Sequence, residues 1–212
     1  LQYLAALALE QQDHEEAWRY AMMMDALPTE SALGLLVQGT VLLARQQYES
    51  AEEKLLVAIC RDPNHAATWI QLGMARHAMD DLKGAELAFE QATLADPNAG
   101  LAWYNWARTL EEQGDLERAI PIFEQALVCN PERLSAMAGL LQCRRTRCDW
   151  VGLSEQEDQF IELIRDGVGS KNVDNVPLLL CAMVSDDRLL HVELAQQASE
   201  LAKTISLKAE QV

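Results

Sequence analysis

Three prolines, Pro63, Pro97 and Pro131, stand 34 residues apart, and no other feature of the 212-residue chain constrains its fold as strongly. A fixed period of this size is the mark of an array in which one small unit stacks on the next. The other columns keep step with the prolines. Leu35, Trp69 and Trp103 form one; Gly39, Gly73 and Ala107 a second; Ala51, Ala85 and Ala119 a third. Leu55, Phe89 and Phe123 follow, then Ala58, Ala92 and Ala126, while Tyr48, Leu82, Leu116 and Trp150 carry the step into a further unit.

Inside one period the residues read as two helices. Trp69 and Leu72, three apart, share a face of the first. Asp80 and Asp81, and one unit later Gly114 and Asp115, make a short polar turn. The second helix places Ala85, Phe89 and Ala92 at spacings of four and three. Small side chains at Gly73, Ala85 and Ala92 let two antiparallel helices approach closely, and the aromatics fill the space between neighbouring pairs. Pro97 ends the second helix, because it has no N–H with which to continue it. Composition agrees: Ala plus Leu total 63 residues against 25 Val, Ile and Thr, with 10 Gly and 6 Pro, a balance that disfavours a sheet.

This small–large alternation resembles the tetratricopeptide repeat (TPR), a helix–turn–helix unit of 34 residues. The resemblance implies an all-α fold, a right-handed superhelix of such repeats. Residues 32–65, 66–99 and 100–133 match it. Residues 1–31 read as a truncated unit, with Leu1, Leu4 and Ala5 on its first helix, Ala17 and Met24 on its second, and Pro28 lying 35 rather than 34 residues before Pro63. Residues 134–150 read as a partial unit. There Leu141 takes a column held by Gly or Ala, and Leu153 one held by Ala, so this unit is expected to pack less tightly against a next repeat and to serve as a cap. The expected organisation is a TPR array over 1–150 and a helical junction over 151–212. The junction reads as a helix over about 153–165, a linker at 166–177, an apolar stretch at 176–184, a turn at 185–187 and an amphipathic helix over about 188–205. Leu178, Leu179, Leu180 and Leu194 are expected to dock on the last repeat.

The order Cys148-Asp149-Trp150, short helix, loop, Val176-Pro177-Leu178-Leu179-Leu180, helix is similar to the junction between repeats and catalytic region in O-linked N-acetylglucosamine transferases and their SPINDLY-like relatives. This implies that the chain is the non-catalytic N-terminal region of a protein glycosyltransferase that acts from a nucleotide sugar, with the sugar-nucleotide site downstream of Val212. The chain itself has no Gly-rich phosphate loop and no parallel-strand pattern, so no catalytic residue and no cofactor is assigned. The alternative is a standalone TPR adaptor that assembles a complex.

Charge narrows the partners. Lys plus Arg total 17 against 33 Asp plus Glu, a formal −16. Such a chain repels phosphate backbones and anionic lipid, and Arg144, Arg145 and Arg147 are too small a basic cluster to reverse this. No nucleic acid and no membrane partner is expected; the longest apolar run, 176–184, is half a membrane span. Five irregularly spaced cysteines fit a reducing, cytoplasmic setting. A chain that begins in a helical pattern without Met or a signal-type segment reads as an excised piece. Cys143 and Cys148 lack the further ligands of a metal site and read as a core thiol and a turn residue; Cys60 and Cys129 read as small packing residues. His14, His65, His77 and His191 are isolated from one another. Trp69, Trp103, Trp106 and Trp150 fall on packing columns and read as core, and of Met22, Met23 and Met24 one or two face inward. Glu15–Glu16, Glu52–Glu53 and Glu111–Glu112 read as the solvated convex face.

The surface left to carry information is the concave groove lined by the first helices. Leu33, Leu36, Val37 and Thr40, then Ala67, Ile70, Gln71, Met74 and His77, then Leu101, Tyr104, Asn105 and Arg108 read as pointing into it, their identities not dictated by the core. The glycosyltransferase resemblance implies a ladder of Asn side chains just before the packing Leu of each first helix. The matching positions are Val37, Gln71, Asn105 and Gly139, of which Asn105 fits and Gln71 substitutes. Leu36, Thr40, Ile70 and Met74 stand where chaperone-tail receptors carry a cationic clamp, which argues against that role. The candidate peptide-binding site is therefore Gln71, Met74, His77, Tyr104, Asn105 and Arg108. Its expected partner is a protein or an extended peptide, and self-association as a homodimer is left open.

Overall fold

The computed structural model describes residues 2–25, 32–131 and 133–167, and every regular element among them is an α-helix. The chain divides into two compact units, Leu1–Cys129 and Asn130–Val212. The first holds α1 (Gln2–Glu10), α2 (His14–Asp25), α3 (Ala32–Ala44), α4 (Tyr48–Arg61), α5 (Ala66–Ala78), α6 (Leu82–Ala95), α7 (Gly100–Glu112) and α8 (Leu116–Cys129). Consecutive helices pack on one another, and the first helices of neighbouring pairs also touch, α1 on α3, α3 on α5 and α5 on α7.

The 34-residue period is written into the backbone. Gln12, Gln46, Asp80, Gly114 and Cys148, each 34 from the last, are the turn residues with positive φ, from 57° to 78°. Only position 114 uses glycine, to which this conformation costs nothing; each of the others carries about 1 kcal/mol of strain. The next residue caps the second helix. Asp13 Oδ1 accepts from the Glu16 N–H at 2.9 Å, Asp81 Oδ1 from the Gly84 N–H at 2.9 Å, and Asp115 Oδ1 from the Arg118 N–H at 3.3 Å. Such a cap stabilises a helix by about 1 kcal/mol. Gln47, in the same column, makes no side-chain cap bond.

Close approach within each pair explains the small columns. A Cβ on Gly39 would lie 2.7 Å from Leu55, and one on Gly73 would lie 2.4 Å from the Phe89 ring. Leu55, Phe89 and Phe123 are buried, with Ala51, Ala85 and Ala119 on one side of them and Ala58, Ala92 and Ala126 on the other. The tryptophan and proline columns turn out to be one device. The Trp69 indole N–H donates to the Pro63 carbonyl and that of Trp103 to the Pro97 carbonyl, both at 2.8 Å, so each indole closes over the turn that its proline opens. Trp69 and Trp103 are accordingly half-buried rather than enclosed.

The second unit begins with α9 (Leu134–Thr146) and α10 (Leu153–Gly167), which runs two residues past the expected end. Leu134, Ala138, Leu141, Leu153, Phe160 and Ile164 form its core. The columns here are inverted. Leu141 replaces the glycine, Glu157 stands where Phe89 and Phe123 stood and pairs with Arg145 at 2.7 Å, and Phe160, fully buried, takes the alanine column. Bulk has moved one turn along the second helix, which gives this unit a different interior. Gly152, at φ 69°, belongs to a longer turn, and Trp150 within it is 64% exposed, not core as its column suggested. Cys143 is buried and Cys148 lies in the turn, as expected, whereas Cys60 is exposed on α4 rather than packed in the interior. Among the described residues no helix is long and apolar enough to cross a membrane. Pro28, the linker at 166–177 beyond Gly167, the stretch at 176–184, the turn at 185–187, the helix at 188–205 and the docking leucines lie outside the described residues.

Candidate binding groove

The groove is built by the inner faces of α1, α3, α5 and α7. At its α1–α5 end lies a hollow of about 280 Å³, lined by Leu9, Leu33, Leu36, Val37, Thr40, Ala67 and Gln71. Six of these seven are residues the sequence assigned to the groove; Leu9 is added from α1. Leu36 and Val37 form the floor of the hollow, buried at 8% and 6% exposure, and Val37 also packs with Ala5, Ala8 and Met24. Ile70, read as a groove residue, does not line the hollow and is packed inside with Phe89 and Ala102. The reason is geometric: a first helix is flanked by its own partner, by the preceding second helix and by neighbouring first helices, so it exposes a stripe narrower than half its surface. The ladder positions Val37 and Gly139 are thereby removed, both being buried.

At the α5–α7 end the candidate residues separate into two kinds. His77 Nε2 lies 2.7 Å from Glu112 Oε2, and Arg108 Nε donates to Glu112 Oε1 at 3.1 Å. Tyr104 hydrogen-bonds Arg108. Partial burial alone would lower the Arg108 pKa, but Tyr104 and Glu112 outweigh it and raise the value. Both carboxylate oxygens of Glu112 are thus occupied, and the network ties α5 to α7. Glu112, expected on a solvated face, is exposed yet forms the hub of this network. Its position four residues after Arg108 was the available signal, but its partner on α5 lies outside any periodic pattern. Glu111 is partly buried: desolvation, helped by Glu112, raises its carboxyl pKa against the lowering effect of Arg108.

The other kind is free. Gln71 and Asn105 occupy one column, a repeat apart, on α5 and α7, each partly exposed, and neither side-chain amide has a partner among the described residues. Met74 between them is 42% exposed. The groove therefore offers an apolar hollow, two unspent amides and an internally paired clasp. Among the described residues no three His, Cys, Asp or Glu side chains gather as a metal site.

Helix pairs on a 34-residue period, with an indole over the turns at Pro63 and Pro97, define a repeat-array protein. A family model described as Tetratricopeptide repeat matches residues 70–133. No curated protein matches the chain. Among solved structures it is similar to MamA, with 16% identity and a TM-score of 0.68 over 77% of this chain and 95% of that one. Residues 41 to the end of MamA from Desulfovibrio magneticus RS-1 give 21%, 0.66, 77% and 93%. YrrB, described as a TPR protein with an unusual peptide-binding site, gives 16%, 0.61, 91% and 88%. At these identities the likeness establishes the fold, an all-α array of TPR helix pairs.

Proposed function

We propose that the chain is a recognition module whose groove takes an extended peptide segment of a protein partner. The observation that carries this reading is the pair of unspent amides, Gln71 and Asn105, aligned one repeat apart beside an apolar hollow. A largely apolar concavity with a few placed polar groups is the usual make-up of a binding site. An amide supplies both a donor and an acceptor, as a peptide unit requires. Met74, Tyr104, His77 and Arg108 complete the site, the last three through the clasp that fixes α7 against α5. The peptide-binding site ascribed to YrrB is in keeping with this use of the fold. The test is the Gln71→Ala, Asn105→Ala double variant: affinity for a bound peptide should fall by about 1 kcal/mol per lost bond, with the melting temperature unchanged. Undiminished binding would move recognition off the groove.

Of the narrower readings, the standalone adaptor is supported by relatives in which the array spans nearly the whole solved chain. The glycosyltransferase reading draws on Cys148-Asp149-Trp150, of which Trp150 is 64% exposed. None of the likenesses above is to a glycosyltransferase. The coding sequence beyond Val212 decides between them. A reducing, cytoplasmic setting accords with the reduced thiols of Cys60, Cys129 and Cys148.

A further inference from the structure

The hollow between α1, α3 and α5 has properties that the general groove reading does not use. Its volume, about 280 Å³, falls just under the roughly 300–1,000 Å³ typical of small-molecule sites. It suits one large side chain better than a whole ligand. Its walls are chemically one-sided. Leu9, Leu33, Leu36, Val37 and Ala67 are apolar, and the Thr40 hydroxyl is spent on the Leu36 carbonyl at 2.9 Å. Gln71 alone offers unspent hydrogen-bonding groups, so a polar side chain entering here would leave groups unpaired, at a cost an apolar one escapes. Helix α3, which supplies four of the seven lining residues, carries no charged residue at all.

Charge describes what flanks that side chain. Residues 1–129 hold 8 Lys and Arg against 20 Asp and Glu. At least five of those cations are engaged with carboxylates: Arg19 with Glu16, Arg45 with Glu15, Arg76 with Glu52, Arg108 with Glu112 and Arg118 with Glu86. The segment as a whole therefore carries surplus carboxylates, a net field that favours cationic partners.

We propose that this hollow takes one large apolar side chain from an extended, basic segment of a partner protein, with the Gln71 amide bonding the peptide unit next to that side chain. The proposal rests on the groove reading and adds to it the chemistry of the guest. Ala67 gives the means of testing it, because its side chain lines the hollow yet is exposed, so Ala67→Phe fills the space without removing a core contact.

The experiment is selection of a random phage-displayed peptide library on the full chain, followed by fluorescence anisotropy with the selected peptides made synthetically. Circular dichroism checks that each variant is folded. The expected peptides share one Leu, Ile, Met, Phe or Trp flanked by Lys or Arg. Replacing that residue by Ala, or the protein's Ala67 by Phe, should weaken binding about tenfold or more, and the two changes together should cost little beyond either alone. Peptides that lose affinity on Asn105→Ala but ignore Ala67→Phe would overturn the hollow while leaving the groove in place. Acidic selected peptides would overturn the charge argument. If no peptide is selected, or binding survives Gln71→Ala, Asn105→Ala and Ala67→Phe alike, the groove reading falls with it.

Discussion

Glu111 is a carboxylate that folding treats badly. Desolvation raises its pKa in the folded chain. For a group so shifted, the stabilising contribution is present below the unfolded value and is lost as pH rises through the folded one. At neutral pH its charge therefore works against the fold. Glu111→Gln should raise the melting temperature at pH 7, and the gap from the parent should close as the pH falls below about 4.3, the ordinary glutamate value. A thermal-melt series across pH checks both the sign and the window. Two backbone positions make a complementary pair. Gly73→Ala drives a Cβ to 2.4 Å from the Phe89 ring and should cost about 1–3 kcal/mol. Gln46→Gly relieves a φ of 60° and should stabilise by about 0.5–1 kcal/mol. Urea denaturation of both variants tests whether small residues are demanded by contact at one site and by φ at the other.

Among elements, the tryptophan–proline pair sets where a first helix begins. Trp103→Phe keeps most of the ring and loses the indole N–H bond to Pro97, so about 1 kcal/mol should go. Trp103→Ala loses the packing as well, about 3–5 kcal/mol, and should unfold the array. Comparing the two by chemical denaturation separates the bond from the bulk. The helices of residues 32–133 were legible because contact within and between pairs recurs at one period, so each column reports the same environment three times. What escaped were departures from periodic contact. Leu36 and Val37 line the hollow yet are largely covered, of which the charge-free run of α3 was the sign, while Ile70 on α5 is packed inside and carries no such sign. Glu112 acquires its role from His77, 35 residues away. Trp150 keeps its column, but the longer turn around it carries it out of the interior. Of the candidate site, the column Gln71–Asn105 was readable because it repeats, while the clasp was not, because it occurs once.

At the scale of the molecule, the first unit is a stack in which each helix pair touches its neighbours in sequence. Stability in such a stack is a sum of local terms with nearest-neighbour coupling. Phe89→Ala should therefore reduce amide-exchange protection most in α5 and α6, less in α4 and α7, and least in α1. Uniform loss along α1–α8 would show a single cooperative block instead.

The tryptophans that close the turns also give the protein optical addresses. The Trp103 and Trp106 rings stack with centroids 5.6 Å apart and planes 22° from parallel, close enough for their transitions to couple. Near-ultraviolet circular dichroism should show a paired band of opposite signs that Trp106→Phe abolishes. Trp69 has a hydrogen-bonded indole and no such neighbour among the described ring pairs, and exposed Trp150 will emit furthest to the red. With Trp18, which lies under Arg45, replaced by Phe, three colours of one amino acid watch three parts of the chain, and opening of a single repeat becomes visible without any label.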